Sequence, residues 1–95
     1  MFIVILRFSA NKARAPQLMQ AHNEWIQRGF ADGVFLLTGS LESGSGGLVL
    51  ATATGRDALE ARLEEDPFVA QDVVKAEIIG ITPGRADERL AFLLG

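Results

Sequence analysis

Cysteine and tyrosine are absent from the 95 residues, and histidine and tryptophan occur once each, as His22 and Trp25. Without cysteine there is no disulfide, no thiolate metal ligand and no cysteine nucleophile, a usage that fits a cytoplasmic protein. One histidine among scattered acids gives no ligand spacing, so no metal site is expected. Basic runs are missing too. The net charge is -3 and the pI about 5.0, and nucleic acid is not an expected partner, because phosphate contacts need clustered Lys and Arg. Long hydrophobic runs are also lacking. Phe2 to Leu6 and Val34 to Leu37 fall far short of the roughly 20 apolar residues a membrane span requires. The first residues read as a strand rather than as the basic segment, apolar run and cleavage site of a signal peptide.

What is present is a hydrophobic content of 48%, enough for one small domain over residues 1–95. A chain of this length leaves much of its surface exposed, and self-association is a natural remedy.

Phe2 to Phe8 is β-branched and aromatic, hence a strand, apolar on both faces: Phe2, Val4, Leu6 and Phe8 on one, Ile3 and Ile5 on the other. Pro16 suits the first turn of a helix running to about Phe30, which Asp32-Gly33 stops. Leu18, Ala21, Trp25, Ile26 and Gly29 recur at helical spacing and mark its core-facing stripe. Val34 to Thr38 and Leu48 to Ala53 read as strands, and Ser43-Gly-Ser-Gly-Gly47 as the hairpin connection between them. That connection lacks the lysine and the strand–loop–helix context of a phosphate-binding loop.

Thr54-Gly-Arg-Asp57 resembles a capping box, opening a second helix with Ala58, Leu59 and Leu63 on its apolar side. Asp66-Pro67 starts a short helical turn holding Phe68 and Val69. A last strand lies within Lys75 to Thr82, and a short amphipathic tail, Ala86 to Leu94, follows Pro83-Gly84.

The order β-α-β-β-α-β predicts an α+β, ferredoxin-like fold. Two helices cover one face of a four-stranded sheet, yet the strands are apolar on both. The bare face would be a large exposed patch. A homodimer, with the two sheets packed as an α+β barrel, is the expected solution.

His22 falls inside the apolar stripe of the first helix, with Leu18 one turn before it and Ile26 one turn after. Two readings stand. It is a packed ring satisfied by the backbone or by Asn23 or Glu24, or it is a general base whose second nitrogen is held by a carboxylate. Asp66 is the best candidate for that carboxylate. Asp-Pro is also an ordinary helix start, and the two roles are compatible, since a carboxylate can cap a helix and accept a ring N–H together. Trp25 and Phe68 read as core residues or as walls of a pocket. Ser40 has no base nearby along the chain and is a poor nucleophile candidate. With Trp25 and Phe68 it is placed among the substrate-binding candidates.

Four segments come in register: Ala21-His22-Asn-Glu-Trp25-Ile26, Ala31-Asp-Gly-Val-Phe-Leu-Leu-Thr-Gly39, Gly46-Gly-Leu-Val-Leu-Ala51 and Asp66-Pro-Phe-Val-Ala70. Together they resemble the YCII (YciI-like) family from the first strand to Thr82-Pro83. The resemblance implies a dimeric α+β barrel in which a histidine and an aspartate, here His22 and Asp66, face each other in a pocket and act as an acid–base pair. One branch of the family looks like a dehydrochlorinase. The expectation is therefore a cofactor-independent enzyme, a lyase or isomerase acting on a small, ring-containing molecule. The alternative is a non-catalytic module that binds or senses such a molecule. A third reading, an interaction domain whose bare sheet face serves a larger protein, competes with the homodimer for the same surface.

Overall fold

The computed structural model describes all 95 residues. Strand β1 (Phe2–Phe8) is followed by a 3₁₀ turn (Lys12–Arg14) and helix α1 (Ala15–Ala31). The hairpin β2 (Phe35–Ser40) and β3 (Gly46–Ala51), helices α2 (Arg56–Glu64) and α3 (Pro67–Ala70), and strand β4 (Val74–Gly80) complete the unit. A 3₁₀ helix, Glu88–Leu94, ends the chain. The sheet is antiparallel throughout, in the order β2-β3-β1-β4. This is the expected ferredoxin-like α+β fold. No helix is long and apolar enough to cross a membrane.

The period-two alternation of β1 decides which face meets the helices. Val4 and Leu6 are buried beside Val49 and Ala51 of β3 and Val74 of β4, against Trp25 of α1 and Leu59 and Leu63 of α2. Each such side chain contributes roughly 1.5–3 kcal/mol by leaving water. The intervening residues, Ile3, Ile5, Leu37, Leu48, Leu50 and Ile79, fall on the opposite face, which α1, α2 and α3 leave open; at one edge Leu37 and Leu50 share a cavity of about 650 Å³ with Leu90, Phe92 and Leu93 of the terminal 3₁₀ helix. There Leu37 and Ile79 are exposed.

Helix α1 lies close on the sheet because of Gly29, which is buried. A Cβ at this position would run into the ring of Phe35. The helix ends as expected: Gly33 takes φ +73° and its N–H reaches the Phe30 carbonyl. Gly46 opens β3 at φ +146°, its backbone so close to Leu6 that a side chain would strike the Leu6 carbonyl.

Several local expectations are corrected. Ala21 and Ala58 are exposed, so the buried stripes of α1 and α2 are narrower than the spacing predicts. Thr54 forms no capping box. Gly55 is the N-cap of α2 without a side-chain bond, and the Thr54 hydroxyl turns to the Gly55 carbonyl instead. Strand β2 runs on to Ser40 because Gly39 and Ser40 still pair with Leu48 and Gly47. The tail buries none of its residues. Its start is capped by Asp87, whose carboxyl is held below its ordinary value of 3.8 by the Arg89 backbone N–H and then by the Arg89 guanidinium.

Candidate active site

Helix α3 is one turn long, and its placement follows from two residues. Pro67 sits in its first turn, and Asp66 caps it, its Oδ1 accepting the Phe68 backbone N–H at 3.0 Å. The cap turns the carboxylate toward α1, where Oδ1 also meets His22 Nδ1 at 2.7 Å. Asp66 is fully buried, and the His22 side chain is 12% exposed. A buried carboxylate is costly unless its charge is compensated. Here both donors converge on Oδ1, and Oδ2 is enclosed without a partner.

The contact selects a tautomer. With Asp66 ionised the carboxylate only accepts, so the contact calls for the hydrogen on Nδ1, and a neutral ring then keeps its lone pair on Nε2. The imidazole is fixed from a second side as well. The Phe68 ring lies flat on it, centroids 3.9 Å apart and planes 4° apart. Trp25 stands 5.9 Å away on the same helix. Its indole Nε1–H donates to the Arg62 carbonyl at 2.9 Å, tying α1 to the end of α2.

His22 opens onto a cavity of about 280 Å³ between α1, the end of β2 and the start of β3. Met19, Asn23 and Ile26 of α1 line it on one side, Thr38 and Ser40 on another, and Phe68 borders it near His22. Gly47 lies opposite Ser40 and on the same side of the sheet, so part of the floor has no side chain. Nδ1 is taken by Asp66, and Nε2 is the nitrogen left to meet a ligand.

Of the candidates named from sequence, His22, Ser40 and Phe68 line this cavity, and Asp66 stands behind His22. Trp25 does not line it: the indole is 1% exposed and packed in the core, so it supports the site without bordering it. Thr38 and Asn23 were missed as cavity residues. Thr38 lies two positions from Ser40 on the same strand, hence on the same face, and that spacing could have flagged it. No three His, Asp or Glu side chains come together as a metal cage.

The YCII-related domain profile matches residues 1–81. The chain belongs to the YCII family. Among solved structures, the chain is similar to the dehydrochlorinase TftG of Burkholderia phenoliruptrix AC1100. That enzyme acts on 5-chloro-2-hydroxyhydroquinone, and its structure holds 2,5-dihydroxybenzoquinone. The two are 16% identical, with a TM-score of 0.69 over 88% of this chain and 96% of that one. At this identity the likeness establishes the fold. No curated protein matches this YCII chain in sequence.

Proposed function

We propose that this YCII protein is a cofactor-independent enzyme that moves a proton on a small, ring-containing molecule, with His22 as general base and Asp66 as its positioning partner. The observation that carries the reading is the 2.7 Å contact between His22 Nδ1 and the buried Asp66 carboxylate at the wall of an open cavity. It leaves Nε2 as a fixed acceptor, and Asp66 stabilises the imidazolium once the proton has been taken. The cavity is of a fitting size, since about 150 Å³ already holds benzene.

In an elimination, the hydroxylated ring first takes its keto form, a hydroxyl proton moving to the carbon that bears the leaving group; Nε2 then takes the proton of a remaining hydroxyl, whose O–H electrons form a carbonyl as the ring double bond shifts toward that carbon. The leaving group departs with its own bonding pair, and the imidazolium proton passes to solvent, so that one acid molecule is lost overall. In an isomerisation the proton returns at another carbon. The dehydrochlorinase activity of the structural neighbour favours elimination.

The same reading has the sheet face that α1, α2 and α3 leave open closed, beside the terminal 3₁₀ helix, by a second copy of the chain. Its apolar centre, with Arg7, Lys75 and Glu77 at one end, carries both charge signs and is compatible with self-association about a twofold axis.

The test is turnover of a panel of chlorinated hydroquinones and their isomers, followed by chloride release and product spectra, in the native protein and in His22→Gln. The reading expects turnover that falls at least about 100-fold in the variant. Turnover unaffected by the substitution would overturn it, and saturable binding without any product would favour the alternative of a binding or sensing module.

A further inference from the structure

Charge is missing from the cavity wall. Of its fifteen lining residues none is Lys, Arg, Asp or Glu, and His22 is the one ionisable side chain among them. Directly behind His22 lies the Asp66 carboxylate, wholly buried, with one oxygen lacking any partner. An anionic group in this cavity would find no cation among the lining side chains, and the Lys12 ammonium, 4.9 Å from the Phe8 ring centroid, is engaged by that ring. The anion would face the lone pair of Nε2 and, beyond it, a buried negative charge whose field is weakly screened. The polar groups that do face the space, the Thr38 and Ser40 hydroxyls and the Asn23 amide, are neutral dipoles able to donate to or accept from a hydroxyl or carbonyl.

Building on the proposed function, we infer that the site is selective for charge: it takes a single uncharged ring bearing hydroxyl or carbonyl oxygens and rejects the same ring bearing a carboxylate, sulfate or phosphate. A hydroxyl of such a ring donates to Nε2, and its remaining oxygens meet Ser40, Thr38 and Asn23. The lack of a cation is the selective element. Met19 marks the place where one could be introduced: it precedes His22 by three positions on α1, lines the cavity and is 43% exposed, at the rim.

The test uses two isosteric pairs that differ in charge, salicylamide against salicylate and para-hydroxybenzamide against para-hydroxybenzoate, titrated near pH 7, where the amides keep their phenolic protons, at low salt. Binding is followed by the ring signals of His22, which need no assignment because the chain has one histidine. In each pair the amide is expected to bind at least ten-fold tighter. In Met19→Arg the preference should shrink at least three-fold. Carboxylates that bind as tightly as their amides, or a preference unmoved by Met19→Arg, would overturn the charge selection while leaving acid–base chemistry at His22 intact. No binding of any of the four would overturn the inference together with the reading of the cavity as a ring site, whereas turnover lost in His22→Gln tests that chemistry separately.

Discussion

Phe68 holds both members of the His22–Asp66 pair: its ring lies flat on the imidazole at 3.9 Å, and its backbone N–H binds the carboxylate oxygen at 3.0 Å. One residue thereby joins a helix cap to the orientation of a catalytic candidate. The two functions separate in Phe68→Leu, which retains the N–H and most of the volume but loses the flat face. We expect a stability loss of about 1 kcal/mol by urea denaturation. In an active assay, turnover should fall about ten-fold with little change in KM, because the base is less well aimed.

Asp66 is where stability and function pull apart. Its buried, half-partnered carboxylate is a poor choice for folding, and Asp66→Asn keeps one oxygen to accept from Phe68 and from His22 while removing the charge. The variant should stay within about 1 kcal/mol of the native stability, or exceed it. Its turnover should nevertheless drop about 100-fold or more, since the imidazolium loses its counter-charge. Thermal melts and kcat on one preparation check both halves.

At Gly29, α1 comes so close to the Phe35 ring of β2 that there is no room for a Cβ. Gly29→Ala improves helix propensity by about 1 kcal/mol, but its methyl must displace the Phe35 ring, which is itself packed edge-on against Trp25. Overpacking of a close-fitted core typically costs about 1–3 kcal/mol. A net destabilisation is expected, read as a lower urea midpoint.

Much of this fold is legible in the residues, and the reasons are local. The apolar alternation of β1, the stripe of α1 and the Asp-Pro start of α3 are short-range signals, each produced by backbone geometry within a few residues. Thr54 shows where such signals stop. Its pattern matches a capping box, but the chain enters α2 through extended Gly55 and the hydroxyl does not reach the helix. Ala21 shows a second limit, because spacing cannot say how wide a face the sheet will cover.

The site itself was legible in part. Asp66 reads as a cap from its neighbours alone, whereas its contact with His22 spans 44 residues and depends on how α1 packs on α3. No periodicity encodes that distance, and only the family resemblance brought the two together. Trp25 read as core by default and as pocket wall only second, and its packing against Phe35 and hydrogen bond to the Arg62 carbonyl place it in the core.

The sheet face that α1, α2 and α3 leave open predicts the oligomeric state. Only 14 of the 95 residues are buried in the single chain, while Leu37 and Ile79 project from the open face. Sedimentation equilibrium is expected to give twice the 10.2 kDa chain mass. Leu37→Lys combined with Ile79→Lys should return it to one chain, because a desolvated lysine pair opposes closure of the two sheets. A monomeric native protein at micromolar concentration would contradict the paired-sheet arrangement.

The proposed base requires that Asp66 fix His22 with Nε2 free to accept a proton, and the ring nitrogens report this directly. Long-range proton–nitrogen correlation NMR of the single imidazole distinguishes its two neutral tautomers. Recorded above the pH at which the ring is charged, the spectrum is expected to place the hydrogen on Nδ1, with a strongly downfield proton signal that disappears in Asp66→Ala. A ring carrying its hydrogen on Nε2, unchanged by Asp66→Ala, would rule out the base and leave His22 a packed side chain beside a helix cap.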